Sequence, residues 1–439
     1  MYARFSRGFG DRVRSGVIGV IGLAGLAAAL VLGPVSSVSA QDAEASAPLD
    51  HPLVRALTGG KVNFNLRFRA EIADGAGSSE SQAYTSRLRL GYGTAKYHGV
   101  SLYADFEDIR ATDDDLYNAA GLNGEPGRTV IADPEATELN QAYVDWEIES
   151  ARLRVRGGRQ AIVFDDSRFI GDIAWRQNMQ TFDGVLVESR AVEDTVLTYA
   201  YISHVNNIFG DGSSVAVPNA RRDFESESHL FNAKFSRFEA VNVTAFAYLL
   251  ELRGRNSTGA ANSSDTLGFR LSGKTDINED ISLSYIGSYA FQYDNNDNPT
   301  DYKANYWLAE ATVGTDPVSV TVGFEHLGTS NGRAQFRTPL STAHKFNGWA
   351  DSFLDNGGPK GLQDVYVALS GRLPSSVNGR LVFHKFNTAD GGGDLGWEVN
   401  ARLTKRVNKN LFLLMKYAYF DGPRDPDIFR FWTDIVISF

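Results

Sequence analysis

The sequence predicts an all-β protein, a transmembrane antiparallel up-and-down β-barrel of about 18 strands with one loop folded inward as a constriction. Three observations predict it. Segments of about ten residues alternate apolar and polar side chains, long and short connections alternate between them, and the chain couples a secretory leader to a terminal Phe439. Alternation at period two gives each strand one face for lipid and one for water.

The N-terminus has the organisation of a secretory signal. A basic start precedes the apolar run Gly16–Gly33, and small residues up to Ala40 provide a cleavage site. A transmembrane helix is the alternative, but the run is short and rich in Gly and Ala. We expect a signal peptide over residues 1–40, a short periplasmic segment over 41–60 and an outer-membrane barrel over 61–439.

Composition excludes several classes of function. Without the leader the chain has 39 basic and 52 acidic residues, a net charge of −13, so it has no basic surplus with which to bind nucleic acid. It has no cysteine, which excludes disulfides, thiolate metal sites and a cysteine nucleophile. Its 27 Phe, 18 Tyr and 6 Trp suit strands and interfacial girdles.

Eighteen segments carry the alternation. In the first, even positions from Val62 to Ala70 are apolar, while odd positions from Asn63 to Glu71 are polar. The segments lie near 61–71, 83–93, 99–109, 138–149, 151–160, 182–191, 195–204, 228–238, 241–251, 266–275, 281–292, 303–314, 317–327, 362–373, 378–387, 395–406, 410–421 and 428–439. A soluble β-sandwich could show the same alternation. Strand length, aromatic residues at strand ends and the terminal Phe favour the membrane barrel.

The long connections predict one rim of the barrel and the short ones the other. We expect loops 110–137, 205–227 and 328–361 to shape a wide mouth, and loop 161–181 to form a neck. The stretch Ala151–Gly184 is the most informative part of this pattern. We expect its strand to break at Gly157-Gly158 and to lead into the neck loop.

Arginines dominate the predicted inward faces of the early strands. Guanidinium groups in a pore attract anions and bind carboxylates through two parallel hydrogen bonds. They could instead only solvate the wall and pair with inward acids such as Glu71 and Asp145. Their clustering on neighbouring strands favours an anion path, with Arg270 and Arg402 further along the chain. The early members are Arg67, Arg69, Arg87, Arg89, Arg152, Arg154 and Arg156.

The neck loop mixes arginines with aspartates. Arg159, Arg168 and Arg176 are candidate constriction residues, and Asp183 is a candidate ion-pair partner. Trp175 could stack against a sugar ring or could anchor the loop.

Motifs for other chemistry are weak. The acidic clusters Asp113–Asp115 and Asp294–Asp297 lack the spacing of a calcium loop, and the seven histidines are scattered singly. No nucleophile motif, phosphate loop or dinucleotide fingerprint occurs in a suitable context. We therefore predict no enzyme activity, no metal site and no required cofactor.

The region 138–187 resembles the alginate-export family of outer-membrane porins. The shared motif elements are Leu139–Asp145, Gly158–Gln160, Arg168–Gly171, Trp175–Asn178 and Thr181–Asp183. The resemblance implies a monomeric eighteen-stranded barrel with an electropositive constriction that passes uronate polymers or similar anionic sugars. It also implies that the three neck arginines lie at or near this constriction. One departure is the late turn at 407–409, which is long in the alginate exporter and short here.

Together these features predict a passive channel in the bacterial outer membrane for anionic solutes, in particular uronate-type oligo- or polysaccharides. The expected partners are that solute, outer-membrane lipid and the barrel-assembly machinery, which would recognise the strand ending at Phe439. The alternatives are an outer-membrane barrel hydrolase, a general diffusion porin for small solutes, and a structural or adhesive barrel with a plugged lumen.

Overall fold

A computed structural model describes residues 51–75, 77–123, 125–210, 223–253, 260–295, 298–423 and 427–439. The expected signal peptide and residues 41–50 of the expected periplasmic segment lie outside these residues. Within them, eighteen strands pair with their sequence neighbours in one closed antiparallel sheet, which confirms the predicted fold. The strand β9 (Val241–Leu250) continues past Glu251 as the short piece Leu252–Arg253. The strands are β1 (Lys61–Asp74), β2 (Ser81–Gly93), β3 (Val100–Ala111), β4 (Ala136–Ile148), β5 (Leu153–Gln160), β6 (Thr181–Ser189), β7 (Thr195–Asn206), β8 (Phe224–Phe238), β9 (Val241–Leu250), β10 (Ser264–Asp276), β11 (Ser282–Asp294), β12 (Lys303–Thr315), β13 (Val318–Leu327), β14 (Leu362–Leu373), β15 (Val377–Asn387), β16 (Asp394–Arg406), β17 (Leu411–Asp421) and β18 (Ile428–Ser438).

The first and last strands close the barrel. β1 pairs with β18 from Asn65–Ser438 to Asp74–Phe429, and it pairs with β2 on its other side. The backbone N–H of Phe439 donates to the carbonyl of Phe64 at 3.0 Å, which extends the ladder to the last residue. Closure matters because an unpaired strand edge cannot be satisfied in lipid.

The two faces of each strand differ as the alternation predicts. On β14 the outward side chains Val365, Val367 and Leu369 are exposed, whereas the inward Asp364 and Ala368 are buried. An apolar exposed face and a polar enclosed face suit a wall between lipid and an aqueous lumen.

A short helix precedes β1 in the chain. It is α1 (Pro52–Thr58), and the hydroxyl of Tyr92 on β2 donates to the carbonyl of Leu57 at 2.7 Å. No helix in the described part of the chain is long and apolar enough to cross a bilayer.

Two long loops, at 161–180 and 328–361, fold into the lumen. A third, at 112–135, contacts the first of them through Asp133. We call residues 112–135 loop A, 161–180 loop B and 328–361 loop C. Loops B and C meet in a parallel β-bridge between Ile170 and Leu340, and Phe169 and Phe336 pack on inward aromatic side chains of the wall. The expectation that loop C shapes a wide mouth was therefore wrong, because its buried backbone is hydrogen-bonded to inward wall residues.

The structure also corrects the start and end of β5. Residues Glu149–Ala151 form a 3-10 turn, and Arg152 has a φ of 48°, so the strand begins at Leu153 and Arg152 lies in an exposed turn. The strand does not break at Gly157-Gly158, because both glycines stay paired with β4 and β6.

Candidate functional site: the lumen and its charged loops

The tip of loop B rests on the inward arginines of β1 and β2. Arg67 Nε donates to the side-chain oxygen of Gln177 at 2.8 Å, and Arg87 Nη1 donates to its backbone carbonyl at 3.2 Å. The same glutamine donates through its side chain to Thr85 at 2.8 Å, and through its backbone to Asp133 at 2.7 Å. A buried loop needs such partners for its backbone groups, and a guanidinium supplies five donors. These arginines hold the loop.

Arg69 and Arg89 are paired with carboxylates. Arg69 binds Asp434 through two hydrogen bonds of 2.8 and 2.9 Å, and its side chain has no exposed surface. Arg89 Nε pairs with Glu107, which also lies 4.0 Å from Arg87. Both charges are therefore largely neutralised inside the wall. This agrees with the alternative that the early arginines pair with inward acids.

A buried cluster of charges joins the three loops to the wall, and we call it the clasp. It consists of Glu71, Asp133, Arg176, Asp351 and Arg430. Arg176 of loop B contacts Glu71 at 3.0 Å and Asp351 of loop C at 2.9 Å. Arg430 contacts Glu71 at 3.1 Å, and Arg176 lies 4.0 Å from Asp133 of loop A. All but Asp351 are less than a tenth exposed as whole residues, and its side chain is 4% exposed.

Loops B and C are also joined through Arg168. Its Nε lies 2.7 Å from Glu325 on β13, and its Nη2 donates to the side-chain oxygen of Asn347 at 3.0 Å. Asn347 in turn donates to Glu325 at 2.6 Å. Burial alone would lower the pKa of Arg168, but Glu325 raises it above its usual value. Arg168 and Arg176 therefore lie inside the loop assembly.

A second group links the clasp to the wall at Lys416. Its Nζ donates to His344 Nε2 at 2.6 Å, and His344 Nδ1 donates to Asp351 at 2.6 Å. The ammonium also lies about 4 Å from the ring centres of Trp175 and Trp349, at 4.1 and 4.0 Å. Burial lowers the pKa of His344 to about 3. Burial raises the pKa of Asp351, but the neighbouring His344 and arginines bring it well below its usual value.

Trp175 is covered by its neighbours. His344 stacks on its ring with a centroid distance of 4.4 Å, and the Arg69 guanidinium lies 4.2 Å from the ring centre. Together with Lys416 these groups occupy much of the ring surface, and the remaining part faces the cavity between loops B and C and the late strands. The geometry favours the anchoring interpretation of Trp175.

Arg154 and Arg156 face the lumen but share one carboxylate. Their Nη2 atoms lie 2.5 and 2.7 Å from Asp145 on β4, and Arg156 stacks over Tyr143 at 4.1 Å. Their side chains are 39% and 19% exposed, so together they carry a net charge of about one into the lumen.

Arg159 does not lie at the constriction. It follows Arg156 by three residues on an unbroken strand and therefore shares the outward face of Val155. It pairs with Asp183 on β6 at 2.8 Å. The two residues that were predicted in the neck loop thus belong to strands, and their pair lies on the outside of the wall.

The late strands enclose a cavity of about 620 Å³ beneath loops B and C. Its wall includes Arg380, Arg402 and Lys416, which lie directly opposite one another on β15, β16 and β17. A smaller cavity of about 290 Å³ lies toward the short turns, and Arg380 and Arg402 line both cavities. The two arginines therefore form the boundary between them.

These two arginines differ from the early ones in their partners. Arg380 Nη1 donates to Ser370 Oγ at 3.3 Å, and among the described residues neither Arg380 nor Arg402 has a carboxylate within 4.0 Å. Like charges directly opposite on neighbouring strands are unfavourable unless something compensates them. Arg402 was noted in the sequence, whereas Arg380 and Lys416 were missed. Extending the alternation across β15 to β17 would have found them.

The acidic side chains that line the larger cavity already have hydrogen-bond or ion-pair partners. Asp166 pairs with Arg270 at 2.9 Å, Glu325 with Arg168, and Asp364 with His384 at 2.9 Å. Glu310 accepts a hydrogen bond from Tyr366 at 2.6 Å. Tyr366 reaches it by crossing Gly323, where a Cβ would lie 2.0 Å from the tyrosine ring.

The other candidate sites gain no support. Among the described residues no group of three or more His, Asp or Glu is placed to hold a metal ion. Asp113 accepts from the backbone N–H of Asp115, and part of the cluster Asp294–Asp297 lies outside the described residues. The carboxylate–histidine pairs at His344 and His384 have no hydroxyl nucleophile bonded to the ring within the described part of the chain.

Comparisons with known proteins agree with this architecture. The alginate export family matches residues 59–396, while the comparison with curated proteins gives no match. OccAB4 of Acinetobacter baumannii has a similar structure, with a TM-score of 0.68 at 10% identity over 87% of this chain and 98% of its own. The outer membrane protein OpdK of Pseudomonas aeruginosa gives 0.66 at 13% identity over 86% and 98%. Identities this low show a shared fold.

A closed barrel with an apolar outer face and a charged lumen crossed by folded-in loops defines a porin of the bacterial outer membrane. Because the family match covers most of the chain, this porin belongs to the alginate export family. The resemblance noted in the sequence is thereby confirmed.

Proposed function

We propose that this porin is a passive channel for anionic solutes, in particular uronate-type sugars. One observation carries the proposal. Arg380 and Arg402 lie opposite each other at the boundary of two lumenal cavities, and no carboxylate of the described residues pairs with either. A carboxylate that passes between the cavities would meet two guanidinium groups, each able to bind it through two hydrogen bonds.

The balance of charge in the larger cavity supports an anion. Arg380, Arg402 and Lys416 form one basic row, while three of the four cavity acids are already held by basic partners. Such a site attracts an anion, and its water-filled surroundings keep binding weak enough for release. The partly exposed ring of Tyr366 in the cavity wall suits the apolar face of a sugar.

The proposal moves the selective site from the early strands to the late ones. Arg67, Arg69 and Arg87 bind loop B or a carboxylate, and Arg168 and Arg176 hold the loops together. Arg154 and Arg156 stay in the path as a weaker contribution. A structure of OpdK, which shares this fold, contains vanillate, a small carboxylate. Small carboxylates are therefore reasonable first probes for this chain.

Ion selectivity tests the proposal. In a planar bilayer under a salt gradient, the wild-type channel should prefer anions, and Arg380→Gln with Arg402→Gln should reduce this preference. A charge about 7 Å away in a water-like medium contributes roughly 0.6 kcal/mol, so two charges should change the permeability ratio about five- to ten-fold. The matched control is Arg190→Gln, an exposed arginine in a short turn. Cation preference in the wild type would instead favour a general diffusion porin.

A further inference from the structure

The clasp connects three loops to the barrel wall inside the lumen. It joins loop A through Asp133, loop B through Arg176 and loop C through Asp351 to wall residues on β1 and β18. The three loops are thus fixed to the wall and to each other at one point. Arg168 with Glu325 and Asn347 fixes loops B and C at a second point.

The contacts of the loops extend around the wall. Besides β1 and β18, Asp166 binds Arg270 on β10, Gln292 on β11 donates to the carbonyl of Arg337, and Glu398 on β16 accepts from the backbone of Trp349 and Ala350. Loops B and C therefore form a layer across the lumen.

Two cavities lie beneath this layer. The cavities measure about 620 and 290 Å³. Pockets of about 300–1,000 Å³ enclose one small ligand. A long polysaccharide would have to thread past the loop layer, and this would require at least one of the loops to leave its buried ionic partners. A buried charge that loses its partner is strongly destabilising.

We infer that this channel accepts sugar acids of one or two rings and excludes the polymer, and that the clasp sets this limit. The inference rests on the proposed anion path and adds its size limit. A clasp with fewer ionic contacts would let the loops separate, and the limit would then move to longer oligomers. The residues of the clasp act through the loops and touch no solute, so they are positioning residues.

Osmotic swelling of liposomes that contain the purified full chain tests the limit. The probes are sodium salts of D-glucuronate, a uronate disaccharide and a uronate hexasaccharide at equal osmolarity. We expect swelling with the first two and no swelling with the hexasaccharide above that of protein-free liposomes. Equal swelling with all three would overturn the inference and leave the proposed anion path intact. No swelling with glucuronate would overturn the proposed path as well.

A variant of the clasp tests its role. Arg176→Gln should allow the hexasaccharide to enter, while Arg190→Gln should behave as the wild type. Because the chain has no cysteine, Ile170→Cys with Leu340→Cys gives one defined cross-link between loops B and C. Oxidation of this cross-link in the Arg176→Gln channel should restore exclusion of the hexasaccharide, and reduction should remove it again.

A second variant covers the case in which Arg176→Gln fails to fold. Asp351→Asn removes the same contact from loop C and keeps the shape of the side chain. Exclusion of the hexasaccharide by every folded variant of the clasp would show that the limit lies elsewhere, and the inference would fail. A hexasaccharide that enters the variants whether or not the cross-link is formed would overturn it too.

Discussion

The inward arginines of β1 and β2 and those of β15 and β16 differ in their partners. Arg67 and Arg69 are buried against loop B, Asp133 and Asp434. Arg380 and Arg402 lie at the boundary of two cavities and have no ionic partner among the described residues. The same residue type on the same face therefore serves the structure in one region, and is available to a solute in the other.

The largest expected effect is a difference in the free energy of unfolding between variants of these two regions. Arg69→Met leaves Asp434 buried without its bidentate partner, which should lower the free energy of unfolding by about 3–5 kcal/mol. Arg402→Met removes the middle one of three opposed basic residues and should change the free energy of unfolding by less than about 1 kcal/mol. Urea unfolding of the refolded channel, followed by tryptophan fluorescence, measures both values.

The double variant Arg69→Met with Asp434→Leu sharpens this prediction. Replacing both partners by apolar residues of similar size removes the unpaired charge, so most of the lost stability should return. Equal losses for Arg69→Met and Arg402→Met would erase the distinction between the two regions.

The sequence was sufficient for the barrel because period-two alternation is local. Each strand carries its own pattern, and the lengths of the connections place the loops on the rims. The sequence also contains the argument against placing Arg159 at the constriction. Arg159 stands three positions after Arg156, and an odd spacing on an unbroken strand puts two side chains on opposite faces.

Partners of the arginines could not be predicted in the same way, because they are distant in sequence. Arg69 and Asp434 are 365 positions apart, and Arg168 and Asn347 are 179 apart. No local pattern reports such a pair. The inward folding of loop C was missed for the same reason, since its buried backbone is held by Glu398 and Arg430 of distant strands.

An effect of intermediate size is expected when the pH is lowered, because His344 contacts both Asp351 of the clasp and Lys416 of the basic row. Its ring faces Asp351, Lys416 and Arg176. Burial lowers its pKa to about 3, below the ordinary value of 6.5, so the released loop binds a proton more readily than the held one. The held state is therefore fully stable above about pH 6.5, and loses about 1.4 kcal/mol for each pH unit below it.

Tryptophan fluorescence follows this release, since Trp175, Trp349 and Trp432 surround Lys416. Titration of the wild type from pH 7 to pH 4 should change the emission, and His344→Gln should flatten the curve. His98→Asn is the control, because His98 lies exposed in a short turn. A pH-dependent change that persists in His344→Gln would rule out this histidine as its source.

The smallest expected effect is on ion selectivity, and it concerns Arg154 and Arg156 on β5. Both guanidiniums share Asp145, so their net contribution to the lumen is about one charge. Arg154→Gln with Arg156→Gln changes the local net charge from about +1 to about −1. At roughly 10 Å in a water-like medium these two charges are worth about 0.8 kcal/mol, so the variant should lower the anion permeability ratio about four-fold. Asp145→Asn changes the local charge by one unit and should raise the ratio about two-fold, because it frees both arginines. Reversal potentials measured beside those of the Arg380 and Arg402 variant decide the order. A larger loss from the Arg154 and Arg156 variant would return the selective site to the early strands.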